Sequence, residues 1–217
     1  MNKTALVITL FFFCFVFAQA QNENIFRYPL SPRTMDAFSA ACARISQYQL
    51  IKGRFEQEKT LSRLNRVLKS SGNFIITSNM GMVWDTIIPV PATLTLGRDF
   101  LIQSRPGGQR TLLSAQGNET FLRMAQVIST VFSGNSAGLL DNFEVYFSEG
   151  ADSWEIGLIP KNNAINSFAE RIILKGDTVI RSIQIAEQNG DSIKYILSDH
   201  IFPPALNANE QAFFALP

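Results

Sequence analysis

The chain has 217 residues, 46% of them hydrophobic, with a formal net charge of +1 and two cysteines. Its 19 basic and 18 acidic residues nearly balance, so the whole-chain charge gives no footprint for nucleic acid or an anionic membrane. The 18 phenylalanines and the low charged fraction of 17% indicate a protein stabilised by buried apolar surface.

The N-terminus has the pattern of a cleavable signal peptide over residues 1–20. Lys3 precedes an apolar run from Ala5 to Phe17, and Ala18-Gln19-Ala20 provides the small residues that signal peptidase accepts. The apolar run is about 13 residues long, short of the roughly 20 that a membrane-spanning helix needs. We therefore expect export and a mature chain that begins near Gln21.

Removal of the signal leaves a single domain over residues 21–217. Cys14 departs with the signal, so Cys42 is the one cysteine of the mature chain. No intramolecular disulfide is then possible in an oxidising compartment.

Two segments have helical periodicity. Ser31-Pro32 predicts a helix start, with Ser as N-cap and Pro in the first turn. The apolar residues that follow at helical spacing are Met35, Phe38, Cys42 and Ile45. A second helix is predicted over 118–132, apolar around most of its circumference and stopped by Ser133-Gly134-Asn135. Such a helix needs cover on more than one side.

The rest of the chain has the period of two that is typical of strands. In the first strand Ile51 and Phe55 fall on one side, and Glu56 and Glu58 fall on a charged side predicted to be solvated. The later predicted strands are Gly72–Thr77, Met82–Thr86, Ala92–Leu96, Phe100–Gln103, Arg110–Ser114, Phe143–Ser148, Trp154–Pro160, Arg171–Lys175, Thr178–Ala186 and Ser192–Ser198. A sheet of about 10 or 11 antiparallel strands curls and offers a concave face that helices can cover. The predicted fold is α+β, mainly β, a half-barrel.

Four motifs follow the first helix in order: Phe55-Glu56-Gln57, Gly72, Met82-Val83-Trp84 and Pro89. Their order resembles the opening sheet of the LolA family of periplasmic lipoprotein carriers. The resemblance implies a half-barrel that encloses a hydrophobic cavity for acyl chains, in a periplasmic monomer without a cofactor. It also implies an inner-membrane exporter as donor and an outer-membrane acceptor as partners. The long connection 61–69 looks closer to a LolA-related branch found beside lipid-exporting pumps.

Ser78-Asn79 is a departure from the family pattern. LolA carriers have an Arg-Pro pair at this place, and its Arg helps to hold the unloaded cavity shut. Either other groups close the cavity here, or the cargo is not the usual triacylated lipoprotein, and we favour the second. Which lipid would replace it, and which surface docks, does not follow from the residues.

The predicted cavity lining comes from strand parity. Phe55, Phe74, Ile76, Met82 and Trp84 share parity along the first three strands. The further predicted walls are Leu94, Leu96, Phe121, Ile128 and Phe132. The alternative interpretation is that these residues are ordinary core, because a curved sheet facing helices needs a core in any case.

Catalytic and metal-binding interpretations are weak. His200 is the only histidine, which is too few for a histidine-based metal cluster, and Cys42 fits a buried stripe better than a nucleophile. We predict neither an enzyme nor a metal site. A lipoprotein-sensing or protein-interaction module on the same scaffold is the main alternative function, although such a module usually has a second domain. A small outer-membrane barrel fits least, because the apolar helix 118–132 has no place in a lipid-facing wall.

Overall fold

A computed structural model of the chain describes residues 25–97, 100–114, 129–167 and 169–217. The strands are β1 Leu50–Leu61, β2 Arg66–Thr77, β3 Gly81–Ile88, β4 Ala92–Leu96, β5 Phe100–Ser104, β6 Thr111–Ser114, β7 Phe143–Glu149, β8 Trp154–Pro160, β9 Arg171–Gly176, β10 Ile180–Ala186 and β11 Ser192–Ile201. The helical segments are α1 Met35–Ser46, α2 with its described end at 129–132, α3 Ser136–Asn142, α4 Asn163–Asn166 and α5 Ala208–Phe213. A short 3₁₀ turn spans Ile25–Arg27.

All the strands belong to one antiparallel sheet. Its order is β6-β5-β4-β3-β2-β1-β11-β10-β9-β8-β7, which is two meanders joined where β1 pairs with β11. The sheet is open, with β6 and β7 at its edges. The predicted fold, a mainly β curved half-barrel of about 11 antiparallel strands with covering helices, is confirmed.

Several predicted boundaries are shifted, and two of the shifts are instructive. The first helix begins at Met35 and not at Ser31-Pro32, because the Thr34 hydroxyl bonds back to the Ser31 carbonyl and closes a turn before the helix. The predicted connection 61–69 is largely strand, since β1 continues to Leu61 and β2 resumes at Arg66. The second error has a physical cause. Residues 66–69 are all exposed, so they lack the alternation of buried and exposed positions that reveals a strand.

The main core lies between α1 and the concave face of the sheet. The predicted stripe of α1 is confirmed, because Phe38, Cys42 and Ile45 are buried and Met35 packs at the margin of the same cluster. Phe38 meets Phe147 of β7 edge to face, with ring centroids 5.8 Å apart. The space between α1 and the concave face of β7 to β11 is therefore filled by packed side chains.

A second, smaller core lies on the opposite, outer face of β1 to β3. Leu50, Ile75 and Val83 are buried there beneath Phe214, which follows α5. The start of α5 is fixed by a capping box, in which the Asn207 side chain accepts a hydrogen bond from Glu210 N and the Glu210 carboxylate accepts one from Asn207 N. The sequence analysis did not predict this helix.

The predicted helix over 118–132 is described only at its end. Residues 129–132 are helical, and Gly134, with φ of +60°, ends the helix at the predicted stop. The predicted wall residues Phe121 and Ile128 lie outside the described residues, as does the predicted signal peptide over 1–20. Within the described ranges, no helix has the length and apolar character that crossing a membrane requires.

Candidate functional site

The predicted lining residues of the first strands share the concave face of the sheet. Residues directly opposite each other in an antiparallel pair project to the same side. The opposed pairs are Phe55 and Gly72, Gly53 and Phe74, Phe74 and Trp84, Ile76 and Met82, Trp84 and Leu94, and Met82 and Leu96. The register therefore places seven predicted residues on one continuous surface.

An aromatic cluster occupies the middle of this surface. Trp84 stacks on Phe55 with ring centroids 4.3 Å apart, lies 6.0 Å from Phe74, and meets Tyr195 of β11 edge to face at 5.2 Å. Phe55 and Phe74 are fully buried. Burial, together with the charge of Glu187, raises the pKa of the Tyr195 hydroxyl to about 12, so this phenol is neutral at any physiological pH.

Two glycines make room for the cluster. The Phe74 ring lies over Gly53, where a Cβ would come within 2.6 Å of the ring edge. A Cβ on Gly72 would overlap the Asp85 carbonyl of β3. The glycine of the sequence motif is thus required by the close approach of β2 and β3, and it leaves the concave face free of a side chain beside Phe55.

A cavity of about 330 Å³ opens beside the aromatic cluster. Its apolar walls are Ile51, Ile76, Met82, Leu96 and Phe132. Its opening is bordered by exposed polar residues, which are Ser46, Ser78, Asn79, Ser129 and Ser133. None of the described residues that line it is charged. The volume lies at the lower end of the roughly 300–1,000 Å³ that is usual for small-molecule sites.

The β2–β3 turn forms one lip of this opening. The Thr77 hydroxyl accepts hydrogen bonds from the amides of Met80 and Gly81 at 2.9 and 3.0 Å, and Ser78 N donates to the Gln49 carbonyl at 3.0 Å. These bonds fix the turn and leave the side chains of Ser78 and Asn79 exposed at the lip. The lip at Ser78-Asn79, where the resemblance implies an arginine, is therefore made of uncharged groups.

The structure places the predicted lining residues that it describes in three groups: those at the cavity, those in the aromatic cluster, and Leu94 by itself. Ile76, Met82, Leu96 and Phe132 border the cavity. Phe55, Phe74 and Trp84 form the aromatic cluster beside it, and Leu94 lies opposite Trp84 with its side chain 36% exposed.

Sequence reasoning omitted two cavity residues near the start of β1. Ile51 has the same parity as Phe55 and was identifiable from it, whereas Tyr48 precedes β1 and has no periodic signal. Both belong to the described lining of the cavity.

The titratable groups that the sequence singled out are not arranged for catalysis. Burial raises the pKa of the Cys42 thiol to about 11, which keeps it protonated and unreactive. The Nδ1 atom of His200 lies 3.1 Å from the guanidinium of Arg181, so it accepts a hydrogen bond there. Among the described residues, no three His, Cys, Asp or Glu side chains cluster in a way that could hold a metal ion.

The model of the family "Outer membrane lipoprotein carrier protein LolA" matches residues 46–211, which include every strand of the sheet. The chain belongs to the LolA family. The match confirms the resemblance seen in the motifs between Phe55 and Pro89 and extends it to both meanders. The LolA carrier fold is generally non-enzymatic.

Several solved structures resemble this LolA-family chain at low identity. An outer membrane lipoprotein-sorting protein domain from Vibrio parahaemolyticus is 10% identical, with a TM-score of 0.45, and the similarity covers 88% of this chain and 99% of that one. A LolA superfamily protein from Nitrosomonas europaea is 8% identical, with a TM-score of 0.45 and coverage of 83% and 97%. MucB in the MucA/MucB complex of Pseudomonas aeruginosa is 9% identical, with a TM-score of 0.47 and coverage of 83% and 61%. No curated protein sequence matches the chain.

Proposed function

We propose that this LolA-family protein is a periplasmic carrier that binds acyl chains of a lipoprotein, or of a lipid or glycolipid, and shuttles them from the inner to the outer membrane. The observation that carries the proposal is the uncharged cavity of about 330 Å³, walled by Ile51, Ile76, Met82, Leu96 and Phe132, which opens to the surface on a sheet of this family. An inner-membrane exporter would load it and an outer-membrane acceptor would unload it.

The chemistry of the cavity suits hydrocarbon. Each methylene withdrawn from water gains about 0.8 kcal/mol, so a 16-carbon chain gains on the order of 10 kcal/mol when it is fully enclosed. The dispersion contacts of Met82, Leu96 and Ile76 are individually weak and tolerate differing chain shapes. A carrier needs this combination, because it must hold its cargo in water and still release it.

The lip of the cavity bears on the kind of cargo. Ser78 and Asn79 are small and uncharged, so they offer no cation to tie the opening shut in the unloaded state. We infer an opening that admits a chain without first breaking an ionic latch. The cargo is then distinguished by the shape of its chains more than by a charged headgroup held at the lip.

Uptake of a fluorescent fatty acid by the purified mature chain tests the proposal. Ile76→Asn and Met82→Asn place a polar amide against the apolar cavity, which we expect to weaken uptake by roughly tenfold each, since an uncompensated buried amide costs about 1–3 kcal/mol. Leu112→Asn is the matched control, because Leu112 is exposed and, by strand register, lies on the outer face of the sheet.

Native mass spectrometry of the same samples gives the mass of any lipid bound during expression. Failure of the wild-type protein to take up any added amphiphile would contradict the carrier role. Equal uptake by the wild type and both cavity variants would place the binding site elsewhere in the chain.

A further inference from the structure

The β1–β2 hairpin extends past the end of its neighbouring strand β3. β3 pairs with β2 only from Ser71 to Thr77, and β11 begins opposite Thr60 of β1. At about 3.3 Å per residue, the part of β2 from Arg66 to Ser71 reaches roughly 17 Å past its last partner in β3. The hairpin tip, residues 62–69, thus lies at one end of the half-barrel, where one edge of β2 is free of β3 and β1 remains paired with β11.

Large apolar side chains on this tip face solvent. Leu64 is 64% exposed, Val67 is 52% exposed and Leu68 is 47% exposed. Natural sheet edges are usually protected by charge, by proline or by a covering element, and they seldom carry adjacent exposed Val and Leu. No part of the chain that the structure describes buries these three side chains.

The charge of the tip has one sign. Residues 62–69 contain Arg63, Arg66 and Lys69 and no acidic residue. Lys69 pairs with Glu58 at 2.6 Å, whereas Arg63 and Arg66 are exposed and have no ion pair with any residue that the structure describes. Two guanidinium groups are therefore available on either side of Leu64.

The nearby carboxylates are already engaged. Asp191 accepts a hydrogen bond from Ser62 N at 2.9 Å, and Glu187 pairs with Lys59 at 2.9 Å. These bonds tie the hairpin tip and β1 to the β10–β11 turn. Neither carboxylate pairs with Arg63 or Arg66, and Asp191, which among the described residues is bonded only by neutral donors, lowers the net positive charge of the tip without removing it.

A second exposed apolar group lies at the same end of the sheet. Ile88, at the end of β3, is opposite Ser71, the last residue of β2 that pairs with β3, and Ile87, Ile88 and Val90 of the β3–β4 corner are all largely exposed. Arg105 in the β5–β6 turn adds a further exposed cation at this end. The two groups together form an apolar and basic rim.

We propose that the hairpin tip docks on an anionic lipid surface, with Leu64, Val67 and Leu68 entering the interface and Arg63 and Arg66 pairing with lipid phosphates. A hairpin tip with exposed apolar and basic side chains matches the interface of an anionic bilayer, into which apolar groups insert by about 5–10 Å. The inference extends the proposed carrier function, naming the surface on which the carrier would load or unload. Its chemistry does not depend on the identity of the cargo.

Cosedimentation with vesicles of phosphatidylcholine, with and without phosphatidylglycerol, tests the docking. We expect the mature chain to bind the phosphatidylglycerol vesicles and to be released by salt. Each arginine near an anionic surface contributes about fivefold to partitioning, so Arg63→Gln with Arg66→Gln lowers it by roughly twentyfold. Leu64→Ser with Leu68→Ser lowers it by at least about tenfold through loss of apolar contact.

Matched controls separate the tip from general charge and hydrophobicity. Arg27→Gln with Arg33→Gln removes the same charge from the exposed N-terminal segment near the other edge of the sheet. Ile201→Ser with Leu216→Ser removes two equally exposed apolar residues elsewhere. Both controls should bind vesicles as the wild type does.

Three results would overturn the docking. One is binding to phosphatidylglycerol vesicles that is no stronger than binding to phosphatidylcholine alone. Another is equal loss in the tip variants and their controls. The third is binding only to native membranes and not to the same membranes after protease treatment, which would assign the tip to a protein receptor.

Fatty acid uptake in the same variants keeps docking and carriage distinguishable. The tip variants should take up fatty acid normally, and Ile76→Asn should bind vesicles normally. Absence of uptake by the wild type, with its vesicle binding intact, would count against the carrier function alone. Absence of vesicle binding by the wild type, with its uptake intact, would count against the docking alone.

Discussion

Trp84 of β3 stacks on Phe55 of β1 with ring centroids 4.3 Å apart and ring planes at 28°. The two strands are not neighbours, because β2 lies between them. The rings meet across β2 beside Gly72, which is opposite Phe55 and has no side chain. Three of the four sequence motifs that carry the family resemblance are therefore parts of one contact.

Replacing Trp84 tests whether this contact is structural or lines the site. Trp84→Ala removes the stack on Phe55 and Phe74, and we expect it to lower the free energy of unfolding by about 3 kcal/mol, as for other large-to-small aromatic changes. Trp84→Phe preserves a stacked ring and should cost much less. Urea unfolding of both variants measures the difference.

Fatty acid uptake by the folded Trp84→Ala protein then separates the two roles. A lining residue predicts altered uptake, whereas unchanged uptake in a stably folded protein would make Trp84 a core residue only. A loss of stability below 1 kcal/mol would contradict the structural role of the stack.

Strand periodicity explains how much of the fold the sequence could predict. Along β1 to β3 the concave positions are strongly apolar, so Phe55, Phe74 and Trp84 could be assigned to one face without a structure. The same alternation marked the charged face of β1 as solvated. This interpretation holds for Glu56 and Glu58, which are exposed, but not for Lys52, which lies against α5.

Two features could not be read from the sequence, for different physical reasons. The outer core depends on Phe214 meeting Val83, a contact between distant parts of the chain through a helix too short to show a periodic stripe. The basic tip is hidden by averaging, because three cations in residues 62–69 vanish in a whole-chain charge of +1. The three cations form a candidate docking surface because they lie together at one hairpin tip, which the overall composition does not reveal.

Adding a single methyl group at Gly134 should lower the free energy of unfolding by an unusually large amount. Gly134 has φ of +60°, and a Cβ there would overlap the Cys42 carbonyl of α1. Gly107 has a similar φ of +68° but open space around it, so Gly107→Ala measures the backbone cost alone, about 1–2 kcal/mol. Gly134→Ala should cost clearly more in urea unfolding. Equal costs for the two variants would show that α1 and α2 do not approach as described.

The ionisation of Glu210 should make the free energy of unfolding depend on pH in the acid range. Burial opposes its ionisation, but hydrogen bonds from Lys52 and from Asn207 N, with the charge of Lys52, outweigh that effect and hold the pKa below its usual value of 4.5. A carboxyl whose pKa is lower in the folded state stabilises above its unfolded pKa, and this stability is lost as the pH falls through the folded pKa.

Glu210→Gln isolates the charge, because glutamine still completes the capping box with Asn207. We expect the variant to be about 1–2 kcal/mol less stable than the wild type at pH 7, since Lys52 is left with a neutral partner in a mostly buried site. The difference should shrink as the pH is lowered below about 4.5. A difference that is constant from pH 7 to pH 3 would exclude the ion pair as its source.

The protonation of His200 should give the free energy of unfolding a second pH dependence, in a higher pH range than that of Glu210. Burial, followed by the positive charge of Arg181, lowers the pKa of the ring below its usual 6.5, although Asp177 and Asp199 act in the opposite direction. The unfolded chain therefore takes up a proton before the folded protein does, and stability falls as the pH drops below about 6.5 toward the lower native pKa.

Substituting His200 should remove this dependence. His200→Gln keeps a hydrogen-bond acceptor for the Arg181 guanidinium but does not titrate, so its unfolding free energy should change less between pH 7.5 and pH 5 than that of the wild type. His200 is the only histidine of the chain, so no other imidazole can mask the result. Parallel pH profiles for the wild type and the variant would mean that the ring is equally easy to protonate in the folded and unfolded states, and that Arg181 does not hold it neutral.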